Sequence, residues 1–292
     1  MAATMPNRTP RRRWFRFSLR TLMVFVVVVA AAMSWLVVKI QEANRQREAV
    51  EAIRKAGGWV CYDYQPEYRR SRLGPTSAAP AWLRRLVGED FVANVVALSL
   101  TQVGDEGLEH LKDLPDLEEL NLCRAQVTDE GLKHLRGLTN LHTLGLYSTQ
   151  VTDEGLKHLR GLTNLHALDL YSTQVTDEGL KHLRGLTNLH VLGLSGTQVT
   201  DEGLERLEGL KDLEDLNLSR TQVTDEGLKH LKGLTNLHTL DLSGTQITDK
   251  GLKHLDRLTT LEMLFLSNTQ VTKRGIKELA EALPNWDVDH WE

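Results

Sequence analysis

Cysteine is scarce in this 292-residue chain: only Cys61 and Cys123 occur, far apart in sequence. Two cysteines make no disulfide framework, although a single bond between them stays open in an oxidising compartment. No Cys-x-x-Cys pair, phosphate-cradling glycine loop or Ser/His/Asp set is present, so catalysis has no visible home. Aromatics are only 5% of residues against 41% hydrophobic, and leucine dominates. A net positive charge is missing from the body of the chain. The net charge is −4, yet residues 1–20 hold six arginines (Arg8, Arg11, Arg12, Arg13, Arg16, Arg20) and no acid, which leaves −10 for the rest. An acidic body argues against nucleic acid as the main partner, because phosphate binding needs a positive surface.

Charge is absent altogether from Thr21 to Val38, TLMVFVVVVAAAMSWLVV. At ~1.5 Å per residue this run spans about 27 Å, close to the ~30 Å hydrocarbon core of a bilayer. Arg20 and Lys39 can snorkel to the two interfaces, with Trp14 and Trp35 near the boundaries. The competing reading is a cleaved signal peptide processed at Ala30-Ala31-Ala32, but signal h-regions are usually shorter. Six arginines precede the span; Lys39, Arg45, Arg47, Arg54 and Lys55 follow it, diluted by Glu42, Glu48 and Glu51. The positive-inside rule therefore predicts a basic cytoplasmic tail over 1–20 and a transmembrane helix over 21–40. A juxtamembrane helix and N-terminal cap follow over 41–94, then an exported repeat domain over 95–292 on the periplasmic or extracellular side.

What is abundant is repetition. TQVTDEGLKHLRGLTNLHALDL at 149–170 returns as TQVTDEGLKHLRGLTNLHVLGL at 173–194 and TQVTDEGLKHLKGLTNLHTLDL at 221–242. The phrase starts at Thr101, Ala125, Thr149, Thr173, Thr197, Thr221, Thr245 and Thr269, a period of 24 throughout. With its LxxLxLxxTQVTDxGLxxL block, the chain resembles the leucine-rich repeat superfamily, in particular the cysteine-containing and bacterial TDxGL types, over roughly residues 95–290. The resemblance implies an α/β solenoid of 24-residue repeats, with a parallel concave sheet and short convex helices. Arginine-rich FSLRTLM, a Gly-Gly strand cap and TDxGL repeats together look like a planctomycete-type family of single-pass membrane proteins, a likeness that brings no ligand with it.

Each letter of the unit has a physical reading. Leu168 and Leu170 alternate as a short strand with both side chains on one face. Thr152 caps the following helix, and Asp153 and Glu154 sit in its positive first turn. Leu156 and Leu159 share a buried stripe, Asp153 pairs with Lys157, and Gly161 stops the helix just after Arg160. A solenoid needs ends. Residues 49–64 predict a helix, a break at Gly57-Gly58 and a strand; residues 80–98 predict a helix leading into a strand at Val96 and Leu98. A closing helix over 275–283 and a last strand at Trp286 and Val288 complete the array.

Between 149–172 and 173–196 only four positions change: Ala167/Val191, Asp169/Gly193, Tyr171/Ser195 and Ser172/Gly196. All lie in the strand or just beyond it, on the concave side, and none on the helix. Neutral drift would scatter over the helix as well, so the pattern fits a copied scaffold with an edited binding surface. The predicted ligand-binding residues are Glu119, Asn121, Tyr147, Asp169, Tyr171, Asp215, Asn217, Asp241 and Phe265. Tyr147 and Tyr171 fall in neighbouring repeats, where paired rings make a rigid anchor with polar tips.

Other constellations carry less. His134, His158 and His182 form one column, and His142, His166 and His190 another. Neighbours at ~4.8 Å are near enough to share zinc, but duplication alone explains the spacing, and no metal or cofactor is expected. The columns should instead resist charging together, which depresses their folded pKa values. The TDEG aspartates lack the glycine-rich nonapeptides of calcium ladders. Cys61-Tyr62-Asp63 matches the CxD pattern of bacterial leucine-rich repeat ubiquitin ligases, whose large helical catalytic domain has no room here. The expectation is thus a membrane-anchored, non-catalytic binding module for a protein or cell-envelope polymer. A structural scaffold or spacer of the envelope is the alternative, and an enzyme or ligase adaptor is distant.

Overall fold

A computed structural model of the protein describes residues 19–65 and 80–283. The arginines from Arg8 to Arg16, Trp14, and the closing strand expected at Trp286 and Val288 lie outside the described residues. Helix α1 (Leu19–Lys55) runs unbroken for 37 residues, about 55 Å at ~1.5 Å per residue. Its apolar first part is exposed on every side, whereas Ala43, Gln46, Ala49, Val50 and Ile53 are buried against the cap. Gly57, at φ +79°, ends it in a left-handed turn that glycine adopts without strain. Strand β1 (Trp59–Tyr62) follows, then short helices α2 (Ala81–Val87) and α3 (Glu89–Val92), split at Gly88, and strand β2 (Val95–Ser99).

From there each repeat adds one three-residue strand: β3 (Glu119–Asn121), β4 (Thr143–Gly145), β5 (Ala167–Asp169), β6 (Val191–Gly193), β7 (Asp215–Asn217), β8 (Thr239–Asp241) and β9 (Met263–Phe265). Among the described residues these strands form a single sheet in sequence order. β1 closes its front edge antiparallel to β2, and every later pair is parallel, leucine opposite leucine from Leu98 through Leu120, Leu144 and Leu168 to Leu264. In the repeat from Thr149, Val151, Leu156, Leu159, Leu162, Leu165, Leu168 and Leu170 are all buried. Each fully buried leucine contributes ~1.5–3 kcal/mol, and neighbouring repeats supply the walls of its pocket.

The convex side is shorter and more cross-linked than the sequence suggests. The helix of this repeat is a single turn, Asp153–Leu156, followed by tight turns in which His158 and Leu159 donate three residues back, to Gly155 and Leu156. Gly161 has no left-handed φ and is not the stop signal expected of it. Thr152 does cap, accepting the Glu154 N–H at 3.3 Å. Lys157, however, pairs with Glu154 rather than Asp153. Asp153 is committed elsewhere: its Oδ1 accepts the Thr176 N–H at 2.8 Å and its Oδ2 the Thr176 hydroxyl at 2.6 Å, one repeat on. The same clasp recurs from Asp105 to Thr128 through to Asp249 and Thr272. Charge-assisted bonds of this kind are roughly twice as strong as neutral ones. Asn164 and Asn188 add a second ladder, donating to the carbonyls of Thr139 and Thr163 at 2.9 Å.

The clasp also explains a glycine. A Cβ on Gly179 would stand 2.4 Å from Asp153 Oδ1, and Gly131, Gly155, Gly203, Gly227, Gly251 and Gly275 meet the aspartate of their preceding repeat in the same way. Thr, Asp and Gly of TDxGL are therefore one inter-repeat device, which accounts for their verbatim copying.

Candidate functional site: the concave groove

Residues flanking each strand leucine point away from the core because side chains alternate across a strand. In the curved sheet they line one groove enclosing about 720 Å³, from Trp59 on β1 to Phe265 on β9. Glu119, Asn121, Asp169, Asp215, Asn217, Asp241 and Phe265 all stand in its lining. So do Val191, 40% exposed at its centre, and Trp59. The sequence-based selection missed Trp59, which belongs to the cap strand rather than to a repeat; only the Gly57-Gly58 break before it hinted at a strand in register with the array. Glu119, Asp169, Asp215 and Asp241 are acidic, and no basic residue lines the groove.

Several of these polar groups also hold the backbone. Asn121, Asp169, Asn217 and Asp241 each accept, through Oδ1, the N–H two residues on, at 2.9–3.0 Å. These Asx turns end the strands. They need room beside them: a Cβ on Gly193 would stand 2.8 Å from Asp169 Oδ1. Past the turn, Arg124, Ser148, Ser172, Gly196, Arg220, Gly244 and Asn268 form a column of left-handed residues with φ between 52° and 71°. For a non-glycine residue this conformation costs ~1–2 kcal/mol, offset here by ladder bonds such as Ser148 N–H to Tyr171 O at 2.8 Å. The Ser172/Gly196 difference thus falls where glycine relieves strain, a structural reason for one of the four edits.

Tyr147 and Tyr171 stand beside the groove rather than in its lining. Their rings stack face to face, with centroids 4.6 Å apart and planes 11° apart, and the Arg124 guanidinium lies 5.3 Å from the Tyr147 ring centroid. A Cβ on Gly196 would be 3.3 Å from Tyr171 Cε2, so the ring packs over that glycine. Both tyrosines are half-buried, with part of their faces used on each other.

The remaining motifs have local employment. Cys61 and Cys123 are not joined; Cys61 is buried in β1, and burial, the largest influence, raises the Cys123 thiol above its ordinary pKa, away from the reactive thiolate. Within Cys61-Tyr62-Asp63, the Tyr62 hydroxyl donates to Asp90 Oδ1 at 2.9 Å and so joins β1 to α3. His142, His166 and His190 stack at 5.0 and 5.2 Å between ring centroids. In the other column, His158 and His182 are buried and accept from Arg136 and Arg160 Nε at 3.0 Å. Both are depressed below the ordinary histidine pKa, first by burial and then by those arginines, not by repulsion between neighbouring imidazoliums. No cluster of three or more potential metal ligands occurs among the described residues.

The leucine-rich repeat family profile matches residues 161–183, 185–207, 210–232 and 233–255. Among solved structures the chain is similar to internalin C2 of Listeria monocytogenes, at 31% identity over 68% of this chain and 80% of that one, with a TM-score of 0.55. An internalin F structure from the same organism aligns at 21% identity over 61% of this chain and 69% of that one, with a TM-score of 0.34. No curated protein matches. In its 24-residue period, leucine-paired parallel sheet and likeness to internalin C2, the chain belongs to the leucine-rich repeat family.

Proposed function

We propose that this is a membrane-anchored, non-catalytic binding module whose concave groove recognises another protein or a cell-envelope polymer. The observation that carries the reading is a coincidence of variation and shape: the strand positions that differ between near-identical repeats line one continuous groove. Solenoids characteristically bind along such concave faces. Glu119, Asn121, Asp169, Asp215, Asn217, Asp241 and Phe265 supply the surface, with Tyr147 and Tyr171 as a rigid anchor at its side. An acidic lining with aromatic ends suits a partner that brings cationic and apolar groups together.

The anchor is α1. Its most apolar 18-residue window has a mean hydropathy of 2.6 and is entirely unburied, enough by length and composition to cross a membrane. The helix runs without a break through Ala30-Ala31-Ala32 and into the cap. In this reading residues 1–20 are cytoplasmic, 21–40 cross the bilayer, and 41–94 cap an exported array over 95–292, as in planctomycete-type proteins with TDxGL repeats. A crosslinking pull-down with residues 41–292 names the partner. Tyr147→Ala plus Tyr171→Ala, or Asp169→Ala plus Asp215→Ala, then weakens it about thirtyfold, as loss of a ~2 kcal/mol anchor does. Lys157→Ala plus Lys181→Ala on the convex face leaves it unchanged. Tolerance at both concave pairs would instead make the rigid array a spacer of the envelope.

A further inference from the structure

Helix α2 (Ala81–Val87) is out of character with the rest of the cap. Trp82 is 66% exposed, Leu86 74% and Val87 36%, whereas no helix of the repeat array shows an exposed large apolar side chain among the described residues. Trp82 and Leu86 are four apart and therefore share one helical face. Arg84 and Arg85 share the same short helix. Of the acids that follow, Glu89 is exposed and accepts the Tyr64 hydroxyl at 2.7 Å, whereas Asp90 is half-buried, accepts the Tyr62 hydroxyl and pairs with Arg47 at 3.6 Å. The Arg84 guanidinium lies over the Tyr64 ring, 4.1 Å from its centroid, so the outward face of α2 is apolar with the exposed Arg85 beside it. Tryptophan, leucine and arginine on one amphipathic surface are the composition of segments that lie in a membrane interface.

Its position agrees. α3, the next helix, packs on the stretch of α1 nearest the apolar span, where Gln46 donates to Ala93 O at 2.8 Å. A Cβ on Gly88, which joins the two short helices, would stand 3.0 Å from the Arg47 guanidinium. Arg47 lies nine residues past Val38, about 14 Å along α1 at ~1.5 Å per residue. A seven-residue helix is about 10 Å long, so α2 and its tryptophan can reach the headgroups at that depth.

We infer that α2 docks on the bilayer from which α1 emerges, through Trp82, Leu86 and Val87, with Arg85 on anionic lipid headgroups. This second contact rests on the anchor assigned to α1. It fixes the tilt of the array, because α1 enters the cap without a linker, and so sets where the groove opens relative to the membrane.

The test uses the full chain with Cys61→Ala and Cys123→Ser, carrying one fluorophore-labelled cysteine at Leu86→Cys or Val28→Cys. It is reconstituted in brominated phosphatidylcholine vesicles with or without phosphatidylglycerol. The label at 28 reports the anchor and should be quenched in both. The label at 86 should be quenched chiefly in the anionic vesicles. Adding Arg85→Gln should shift its docked-to-free ratio about fivefold, the loss of one near-surface charge at ~1 kcal/mol. Quenching at 28 without quenching at 86 overturns the docking and leaves the anchor standing. Silence at both positions overturns both. Emission at 86 that shifts to the blue without bromine quenching marks a protein contact, and it too overturns the proposal.

Discussion

Removing the steric half of the inter-repeat clasp should reveal how tightly Asp153 and Gly179 are coupled. In Gly179→Ala the new Cβ would stand 2.4 Å from Asp153 Oδ1, 3.1 Å from Leu156 Cδ1 and 3.2 Å from Asp153 Cγ. Overpacking of this kind costs ~1–3 kcal/mol, against ~0.5–1 kcal/mol that alanine returns by its better helix propensity. Asp153→Ala removes two charge-assisted hydrogen bonds, at 2.8 and 2.6 Å, and leaves the Thr176 hydroxyl without its acceptor. For a half-buried site that costs roughly 2–4 kcal/mol. In the double variant the carboxylate is gone and the methyl fits, so the two losses should not add. The expected coupling is about 1–2 kcal/mol in favour of the double variant. Urea unfolding of the four proteins, followed by far-UV circular dichroism, measures it, and amide exchange at Thr176 locates it. Additivity within ~0.5 kcal/mol would refute the shared device and make each residue a separate local requirement.

Acidification should weaken the array through His158 and His182, whose folded pKa values lie below the ordinary one. Their contribution is complete above the unfolded value of ~6.5 and is lost as pH falls below it, because the unfolded chain takes up the protons first. His158→Gln plus His182→Gln should flatten the stability–pH curve just under ~6.5, and an unmoved slope sinks the assignment. At the far end Asp249 is held below the usual carboxylate range, first by the Thr272 N–H and then by its hydroxyl. Its support is present above ~4 and fades below, so Asp249→Asn should show its largest difference from wild type at neutral pH and converge with it in acid. In the cap, a Cβ on Gly58 would stand 2.4 Å from Leu100 Cδ2 and 2.7 Å from Ile53 Cγ2. Gly58→Ala should therefore lose ~1–3 kcal/mol, read as faster amide exchange in β1, and wild-type exchange there would show that the turn relaxes freely.

The parts of this fold that repeat were the parts legible in sequence. Period, strand leucines, Thr152 caps, the Gly57-Gly58 break and the closing helix all emerge, the last as Lys273–Ala282 rather than 275–283. These signals act within one repeat, at spacings set by helix and strand geometry. What stayed hidden runs between repeats. Asp153 reads as a helix-terminus acid within its own unit, yet its partner is Thr176, and no local spacing announces a bond 23 residues away. Gly161 reads as a helix stop because the stripe Leu156–Leu159 suggests a longer helix than the single turn that forms. For the groove, strand alternation puts Asp169, Asp215 and their neighbours on the side that lines it, because alternation alone decides which way they face. Tyr147 and Tyr171 sit beyond the strands, where the left-handed turn at Ser148 and Ser172 redirects the chain and alternation no longer applies.

The central claim, that the concave face is the working surface, is tested most directly by a photo-crosslinking residue placed at Val191 in the living cell. That side chain is 40% exposed in the middle of the groove, while Lys181 stands on the convex face of the same repeat, paired with Glu178. Irradiation should give a discrete adduct from position 191 and none from position 181. An adduct from 181 with silence at 191 would place the binding surface on the helices and contradict the account.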